Sequence, residues 1–198
     1  MITTLLCDVD GVLAIGEPFG RRLAREHGLP PDATASFFRG RFLDCLVGKG
    51  DLRQEIAAYL PAWGWRRSVD DFLEYWFSSE HVINGPLVDL IQGFHRQGLR
   101  CYLATNQERY RMAYLLDRMG FAQQFDGAFS SAHVGYMKHD PAFFAQVLQQ
   151  LGVPARDVLF WDDSPGNVAT ARMAGLHAER YCGVADFAET MRQYLQQT

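Results

Sequence analysis

Hydrophobic and polar residues follow two alternating patterns from residue 84 to the end of the chain. Short apolar runs, which favour buried strands, are each followed by a longer stretch with apolar residues at helical spacing. This pattern predicts strands over 99–104, 127–130, 158–161 and 177–181 and helices over 84–97, 108–119, 141–151, 164–175 and 184–195. Repeated alternation of this kind is typical of a parallel sheet covered by helices on both faces.

Residues 15–82 break this alternation and carry helical signals only. Phe38, Phe42 and Leu46 recur at helical spacing, and Ser68 with Asp71 forms a capping-box pattern. Helices are predicted over 19–27, 33–46, 52–60 and 69–78. We therefore expect an α/β core with a doubly wound parallel sheet, formed by 1–14 and 83–198, and an inserted all-helical segment, 15–82.

The chain opens with an apolar strand that ends in two carboxylates, Asp8 and Asp10. On an extended strand, side chains two residues apart point to the same side. Gly11 lets the backbone turn sharply where the strand stops. Charges at the end of a buried strand are costly unless a partner offsets them, so the pair indicates a cation, a shared proton or both. For this motif alone, an exposed acidic turn is the alternative.

Three later segments place polar residues where predicted strands and helices meet. They contain, in order, Thr105 and Asn106, then Lys138, and then Asp162, Asp163 and Asn167. Lys138 directly precedes a helix with Asp140 as N-cap and Pro141 at its first position. Ligands of parallel sheets bind beyond the carboxyl ends of the strands, so these residues are expected to converge with Asp8.

In this order, from Asp8 to Asn167, the segments resemble the four motifs of the haloacid dehalogenase-like superfamily, most of whose members are phosphatases. Each motif alone is weak evidence, whereas four in the right order are specific. Two positions depart from the pattern: His139 stands where proline is common, and Asn167 where many relatives carry aspartate. The resemblance implies a Rossmann-like core and a helical cap over the active site, formed by 15–82.

The resemblance further implies an Mg²⁺-dependent phosphatase for a small phosphorylated metabolite, with a sugar phosphate as one candidate. Asp8 would be the nucleophile that forms an aspartyl-phosphate, and Asp10 would protonate the leaving oxygen and later deprotonate water. Mg²⁺ would be held by the carboxylates of Asp8 and Asp163 and by the backbone carbonyl of Asp10. Asp162 is an additional ligand or a neighbour of that site, and Asn167 would orient Asp163 or a metal-bound water.

The remaining motif residues would bind the phosphoryl group. By the resemblance, Thr105 donates its hydroxyl and Asn106 its backbone N–H to phosphoryl oxygens. Lys138 would neutralise charge on the phosphate and on Asp8. The neighbouring His139 is expected to be a surface or packing residue.

The same residues bear on several alternative functions. A sugar phosphomutase uses the same groups and stays open. A metal-independent haloacid dehalogenase lacks, in the resembled pattern, the aspartate at Asp10, and a non-catalytic binding domain should have lost a catalytic group. A cysteine phosphatase is excluded because Leu13 stands six residues after Cys7, where an arginine is required. A nucleotide-binding P-loop is excluded because the Gly-Lys-Gly segment at 48–50 lacks the spacing.

Composition limits the classes of partner and the cellular location that we expect for this protein. The 198-residue chain is 48% hydrophobic and 21% charged, as is ordinary for a globular protein, and its net charge of −4 gives no indication of nucleic-acid binding. No apolar run is long enough for a membrane span. The four cysteines are widely spaced and predict free thiols, so a cytoplasmic location is expected. The sequence does not indicate the oligomeric state.

Overall fold

A five-stranded sheet, parallel throughout, forms the centre of the molecule in the computed structural model, which describes residues 1–30 and 32–196. The strands are β1 (Thr4–Cys7), β2 (Arg100–Thr105), β3 (Gly127–Ser130), β4 (Val158–Asp162) and β5 (His177–Arg180). Their order in the sheet is β3-β2-β1-β4-β5. The core helices are α6 (Gly85–Arg96), α7 (Arg109–Asp117), α8 (Ser131–Val134), α9 (Pro141–Leu151), α10 (Pro165–Met173) and α11 (Val184–Gln196). The predicted α/β fold class is confirmed.

Alternate residues of the central strands enter two separate apolar layers, because successive side chains of a strand point to opposite faces. Leu5 and Trp161 pack on the side of α6, α7 and α11, which contribute buried residues such as Ile91, Leu115 and Phe187. Leu6 and Phe160 pack on the opposite side, against Phe143 and Phe144 of α9 and Val168 of α10. Helices therefore cover both faces of the sheet, and only its strand ends stay available for a site.

Among the described residues between β1 and the first core helix, the chain forms five helices. They are α1 (Phe19–His27), α2 (Ala35–Phe38), α3 (Arg41–Leu46), α4 (Leu52–Ala57) and α5 (Val69–Ser79). The capping box predicted at Ser68 and Asp71 is present at the start of α5. The division of the chain into a core and an inserted cap stays a prediction, although the all-helical character expected of this segment is observed.

The prediction of a single helix over 33–46 is wrong, because the chain forms two short helices there, α2 and α3. Gly40 interrupts them with φ −123° and ψ −107°, far from helical values. A Cβ at this position would stand 2.7 Å from the carbonyl oxygen of Ser36, so the break requires glycine. Two smaller differences concern α4 and α8. The helix α4 ends at Ala57 and not at residue 60, and the short helix α8 was not predicted because its sequence has no hydrophobic periodicity.

The two segments that join these helices to the core run side by side. The Ile15 N–H donates to the carbonyl of Val82 at 2.8 Å, and the Asn84 N–H donates to that of Leu13 at 2.8 Å. The Asn84 side chain also donates to the carbonyl of Val12 at 2.9 Å. Both connections are therefore anchored next to the end of β1.

Two further expectations from the sequence concern the cysteines and the possibility of a membrane-spanning helix. Cys7, Cys45 and Cys101 are buried and Cys182 is exposed, and all four are free thiols, as predicted. Among the described residues, none of the helices combines the length and apolar character that crossing a bilayer requires.

Candidate active site

The predicted site residues meet at the carboxyl ends of β1, β2 and β4. Cys7 of β1 is in register with Leu103 on one side and Trp161 on the other. The next residue, Asp8, continues this alignment, because its N–H donates to the carbonyl of Trp161 at 2.9 Å. The parallel register thus brings polar residues from distant parts of the sequence to one edge of the sheet.

Lys138 lies between two buried carboxylates. Its Nζ is 2.5 Å from Oδ1 of Asp8 and 2.6 Å from Oδ2 of Asp162, and all three side chains are buried. Burial alone would lower the pKa of Lys138, but Asp8 and Asp162 together raise it above its ordinary value. The amine is therefore a charged group fixed between β1 and β4.

Asp8 is strongly affected by its surroundings. Its Oδ1 accepts the N–H of Val9 at 2.7 Å, which fixes the carboxyl at the strand end. Burial raises the pKa of Asp8 to about 7, with Lys138 opposing the rise and Asp162 adding to it. Because nearby positive charge favours the ionised form, a cation at this place would return Asp8 to the carboxylate.

Asp8, Asp162 and Asp163 form a cluster with oxygen atoms that lie within 4.8 Å of one another. Asp163 is exposed as a residue, but its carboxyl is partly buried. This partial burial and the negative charge of Asp162 raise the pKa of Asp163. Gly11 makes room for it, since a Cβ there would stand 2.5 Å from Oδ2 of Asp163 and the backbone has φ +82°. A side chain at position 11 would thus displace the carboxylate that is available to a cation.

Asp162 differs from its neighbour because its oxygens already have partners. Besides Lys138, they accept the N–H of Ser164 at 2.8 Å and the amide of Asn167 at 3.1 and 3.2 Å. Asn167 therefore holds Asp162, and its expected role in orienting Asp163 or a metal-bound water stays a prediction. The arrangement makes Asp162 an anchor for Lys138, whereas Asp163 is exposed.

Thr105 and Asn106 lie at the carboxyl end of β2. Thr105 is the last residue of that strand and is buried. Oδ1 of Asn106 accepts the N–H of Lys138 at 2.9 Å, so this side chain positions the loop that carries the lysine. His139, the next residue along that loop, is exposed, as expected.

Asp10 lies apart from the lysine and faces a cleft, with 54% of its side chain exposed. Its Oδ2 accepts a hydrogen bond from Nε2 of Gln107 at 2.5 Å. Nη2 of Arg111 lies 3.8 Å from Oδ1 of Asp10 and 3.7 Å from Oε2 of Glu80. Burial raises the pKa of Glu80, and the charge of Asp10 adds to that rise.

Sequence reasoning missed Gln107, Arg111 and Glu80. One signal was available, because Arg111 occupies the position four residues before Leu115 and directly before Met112, within the buried stripe of α7. A charged residue in an apolar helical stripe needs a partner. No comparable pattern marks Glu80, which follows the last turn of α5.

The cleft next to Asp10 has a volume of about 500 Å³. It extends from the end of β1 to the two connecting segments, which supply most of its wall. Its lining consists of Asp10, Gly11, Ala14, Ile15, Gly16, Pro18, Glu80 and Asp163. A small molecule bound here would contact one carboxylate of the cluster, Asp163, and the separate acid Asp10.

The chain is similar to known hydrolases over nearly its whole length. The model of the haloacid dehalogenase-like hydrolases matches residues 2–175. A phosphoglycolate phosphatase of Rhodospirillum rubrum is 32% identical, over 89% of this chain and 78% of the relative. A fructose-1-phosphate phosphatase of Escherichia coli is 24% identical, over 88% of this chain and 93% of the relative. The chain spans less than half the length of several other curated relatives that it matches.

A solved structure has the same fold. It is an enzyme of this family from Bacteroides thetaiotaomicron in complex with magnesium and inorganic phosphate, with a TM-score of 0.76 and 20% sequence identity. The match covers 91% of this chain and 94% of that one. At this identity the likeness concerns the fold.

Proposed function

Since the chain belongs to the haloacid dehalogenase-like hydrolases, we propose that it is an Mg²⁺-dependent phosphatase for small phosphate esters. The observation that carries this proposal is the fixed ammonium of Lys138 between Asp8 and Asp162, with Asp163 and Asp10 at the rim of the same strand end. This site combines a nucleophile, a proton carrier and positive charge, which are the groups that phosphoryl transfer needs.

The proposed reaction has two steps with Asp8 as nucleophile. In the first, a carboxylate oxygen of Asp8 attacks phosphorus, the ester P–O bond breaks, and the leaving oxygen takes the proton of Asp10. In the second, water gives its proton to Asp10 and attacks the same phosphorus, and the bond from phosphorus to Asp8 breaks. Inorganic phosphate leaves, and Asp8 and Asp10 return to their starting states.

Lys138 and the end of β2 would hold the phosphoryl group during both steps. The ammonium of Lys138 is 2.5 Å from Asp8, so it lies where negative charge builds up as the phosphoryl group transfers. In this proposal the Thr105 hydroxyl and the Asn106 N–H donate to phosphoryl oxygens. Asp162 keeps the ammonium in place and takes no direct part.

The donor set is compatible with Mg²⁺, which prefers oxygen ligands. We propose that the carboxylates of Asp8 and Asp163 and the backbone carbonyl of Asp10 hold the ion. The exposure of Asp163 and the space left by Gly11 support this assignment. When bound, the ion offsets the negative charge of the phosphate beside these carboxylates.

A panel of phosphorylated metabolites with free phosphate as readout tests this function. We expect release of phosphate from at least one small ester, loss of release in EDTA, and its return with Mg²⁺. The acidic-to-neutral exchange Asp163→Asn should raise the Mg²⁺ concentration needed for half-maximal rate, whereas Asp89→Asn on the exposed side of α6 should not. Full phosphate release without divalent ions would contradict the proposed dependence on Mg²⁺, and transfer to a sugar without phosphate release would indicate a phosphomutase.

We further propose that residues 15–82 select the substrate, as a cap over the strand ends. Ile15 lines the cleft with 52% of its surface exposed, and Pro18 and Glu80 line it from the same connecting segments. All residues with proposed roles in the chemistry lie outside 15–82. Apolar contacts in this wall would touch the leaving group and not the phosphoryl group.

We expect Ile15→Ala to change the ratio of kcat/KM values between phosphorylated metabolites by about 10-fold and so to alter their ranking. The reason is that the substitution removes apolar contact between the side chain at position 15 and the leaving group of the substrate. Mg²⁺ dependence and hydrolysis of a small aryl phosphate should stay unchanged. Leu43→Ala is the matched control, since Leu43 is an exposed apolar residue of α3 that does not line the cleft. An unchanged ranking in Ile15→Ala would rule out this role for the cleft wall.

A further inference from the structure

Arg111 is a buried charged residue of α7 without a role in the proposed chemistry. Its relative exposure is 2%, and Nη1 donates to the carbonyl of Phe77 in α5 at 3.0 Å. The guanidinium also lies 5.6 Å from the ring centre of Phe77 and 5.5 Å from that of Tyr114. A core helix thus places a permanent positive charge against the inserted helices.

The other two nitrogen atoms of the guanidinium, Nε and Nη2, are not hydrogen-bonded within the described residues. Both atoms are buried. The nearest acids are Asp10 and Glu80, whose oxygens lie 3.8 and 3.7 Å from Nη2. A buried charge is costly unless an opposite charge offsets it, so these two carboxylates stabilise Arg111 and are in turn attracted to it.

The side chains of α7 and its leading loop face both oxygens of Asp10. Gln107 donates to Oδ2, and Arg111 faces Oδ1. Glu80, the second acid near Arg111, also accepts the N–H of Phe19 at the start of α1 through Oε1 at 2.9 Å. Arg111 therefore connects Asp10 with two points of the inserted segment, Glu80 and the carbonyl of Phe77.

We propose that Arg111 is a positioning residue, which keeps the Asp10 carboxyl directed at the leaving oxygen and ties this direction to the packing of α5. The inference rests on the proposed function, since it concerns the group that exchanges protons with the leaving oxygen and with water. The reason is geometric: Asp10 is half exposed, and among the described residues Gln107 alone would hold its side chain if Arg111 were absent. A proton donor is effective only within hydrogen-bond reach of its acceptor.

The test compares kcat/KM for two kinds of ester. An alkyl phosphate has a poor leaving group that needs protonation, whereas 4-nitrophenyl phosphate releases a stable anion that needs little. We expect Arg111→Gln to lower kcat/KM for alkyl phosphates about 10²-fold, as displacement of a catalytic group typically does, and to lower it less than about 5-fold for the aryl phosphate. A merely structural role would lower both to the same extent.

A double-mutant cycle with Asp10→Asn makes the link to Asp10 specific. If Arg111 acts through Asp10, the double variant should be no slower with alkyl phosphates than Asp10→Asn alone, since the group to be positioned is already lost. Arg118→Gln is the matched control. Arg118 also joins α7 to α5, through Glu74 at 3.3 Å, but it is exposed and far along the helix from Asp10. It should keep wild-type kcat/KM for both esters.

Arg111→Lys covers the case that Arg111→Gln does not fold, which thermal unfolding would reveal. The lysine keeps the charge but cannot bond Phe77 and face Asp10 together, so we expect an alkyl-specific loss of about 10-fold. Equal losses for both esters, or losses that multiply with those of Asp10→Asn, would overturn the inference while phosphatase activity of the wild type stands. A wild type that releases phosphate from no ester would overturn the proposed function, and the inference with it.

Discussion

Asp8→Asn should abolish phosphate release, lowering kcat by on the order of 10⁴–10⁶-fold, the range seen when an enzyme loses its nucleophile. The amide keeps the size of the side chain and an oxygen that can accept the Val9 N–H, so the site should retain its shape. It cannot form the aspartyl-phosphate, because its nitrogen and carbonyl oxygen are poor nucleophiles. Steady-state phosphate release and acid-quench trapping of the phosphorylated protein measure the effect.

Two comparisons make this result specific to the nucleophile. Asp10→Asn should still be phosphorylated on Asp8 by a substrate with a good leaving group, but hydrolysis of the intermediate should slow by about 10²–10⁴-fold because the base is lost. Asp89→Asn, an exposed exchange of the same type on α6, should leave the rate unchanged. Near wild-type turnover of Asp8→Asn would show that another group attacks phosphorus.

Lys138→Ala should impair both activity and stability. We expect kcat to fall by about 10²–10³-fold, as for removal of one preorganised positive group, with a smaller change in KM. The exchange also leaves Asp8 and Asp162 buried without a counter-ion, and breaking a buried ion pair in this way costs about 3–5 kcal/mol of unfolding free energy. Initial rates and urea unfolding measure the two effects separately.

The pH dependence of this destabilisation follows from the charges. Burial already raises the pKa of Asp8 against the opposing effect of Lys138, so in the variant this carboxyl is more easily accommodated when protonated, and the unfolding free energy lost should be smaller at pH 5 than at pH 8. His139→Ala is the matched control on the same loop, because His139 is exposed, and it should change rate and stability little. Equal losses at both positions would contradict the special role of Lys138.

Much of the fold was predictable because apolar periodicity and caps act locally. The helices at Phe19–His27 and Pro141–Leu151 and the strand at Gly127–Ser130 begin and end at the predicted residues. The helix α9 shows such local signals, with Asp140 as N-cap, Pro141 at its first position and Gly152 directly after its end. The break at Gly40 escaped prediction because a glycine within a helical pattern does not by itself reveal whether the helix continues.

The amino-acid sequence by itself determined the alternation of strands and helices, and with it the convergence of Asp8, Thr105 and Asp163, because parallel strands all end at one edge of their sheet. Which side chains pair there was decided only by the tertiary structure. Asn167 holds Asp162, and Arg111 lies between Asp10 and Glu80, residues far apart in the sequence. The position of Arg111 depends on how α5 and α7 pack, and the pairing of Asn167 depends on which of the two neighbouring carboxylates is turned into the protein. Neither spacing nor periodicity carries that information.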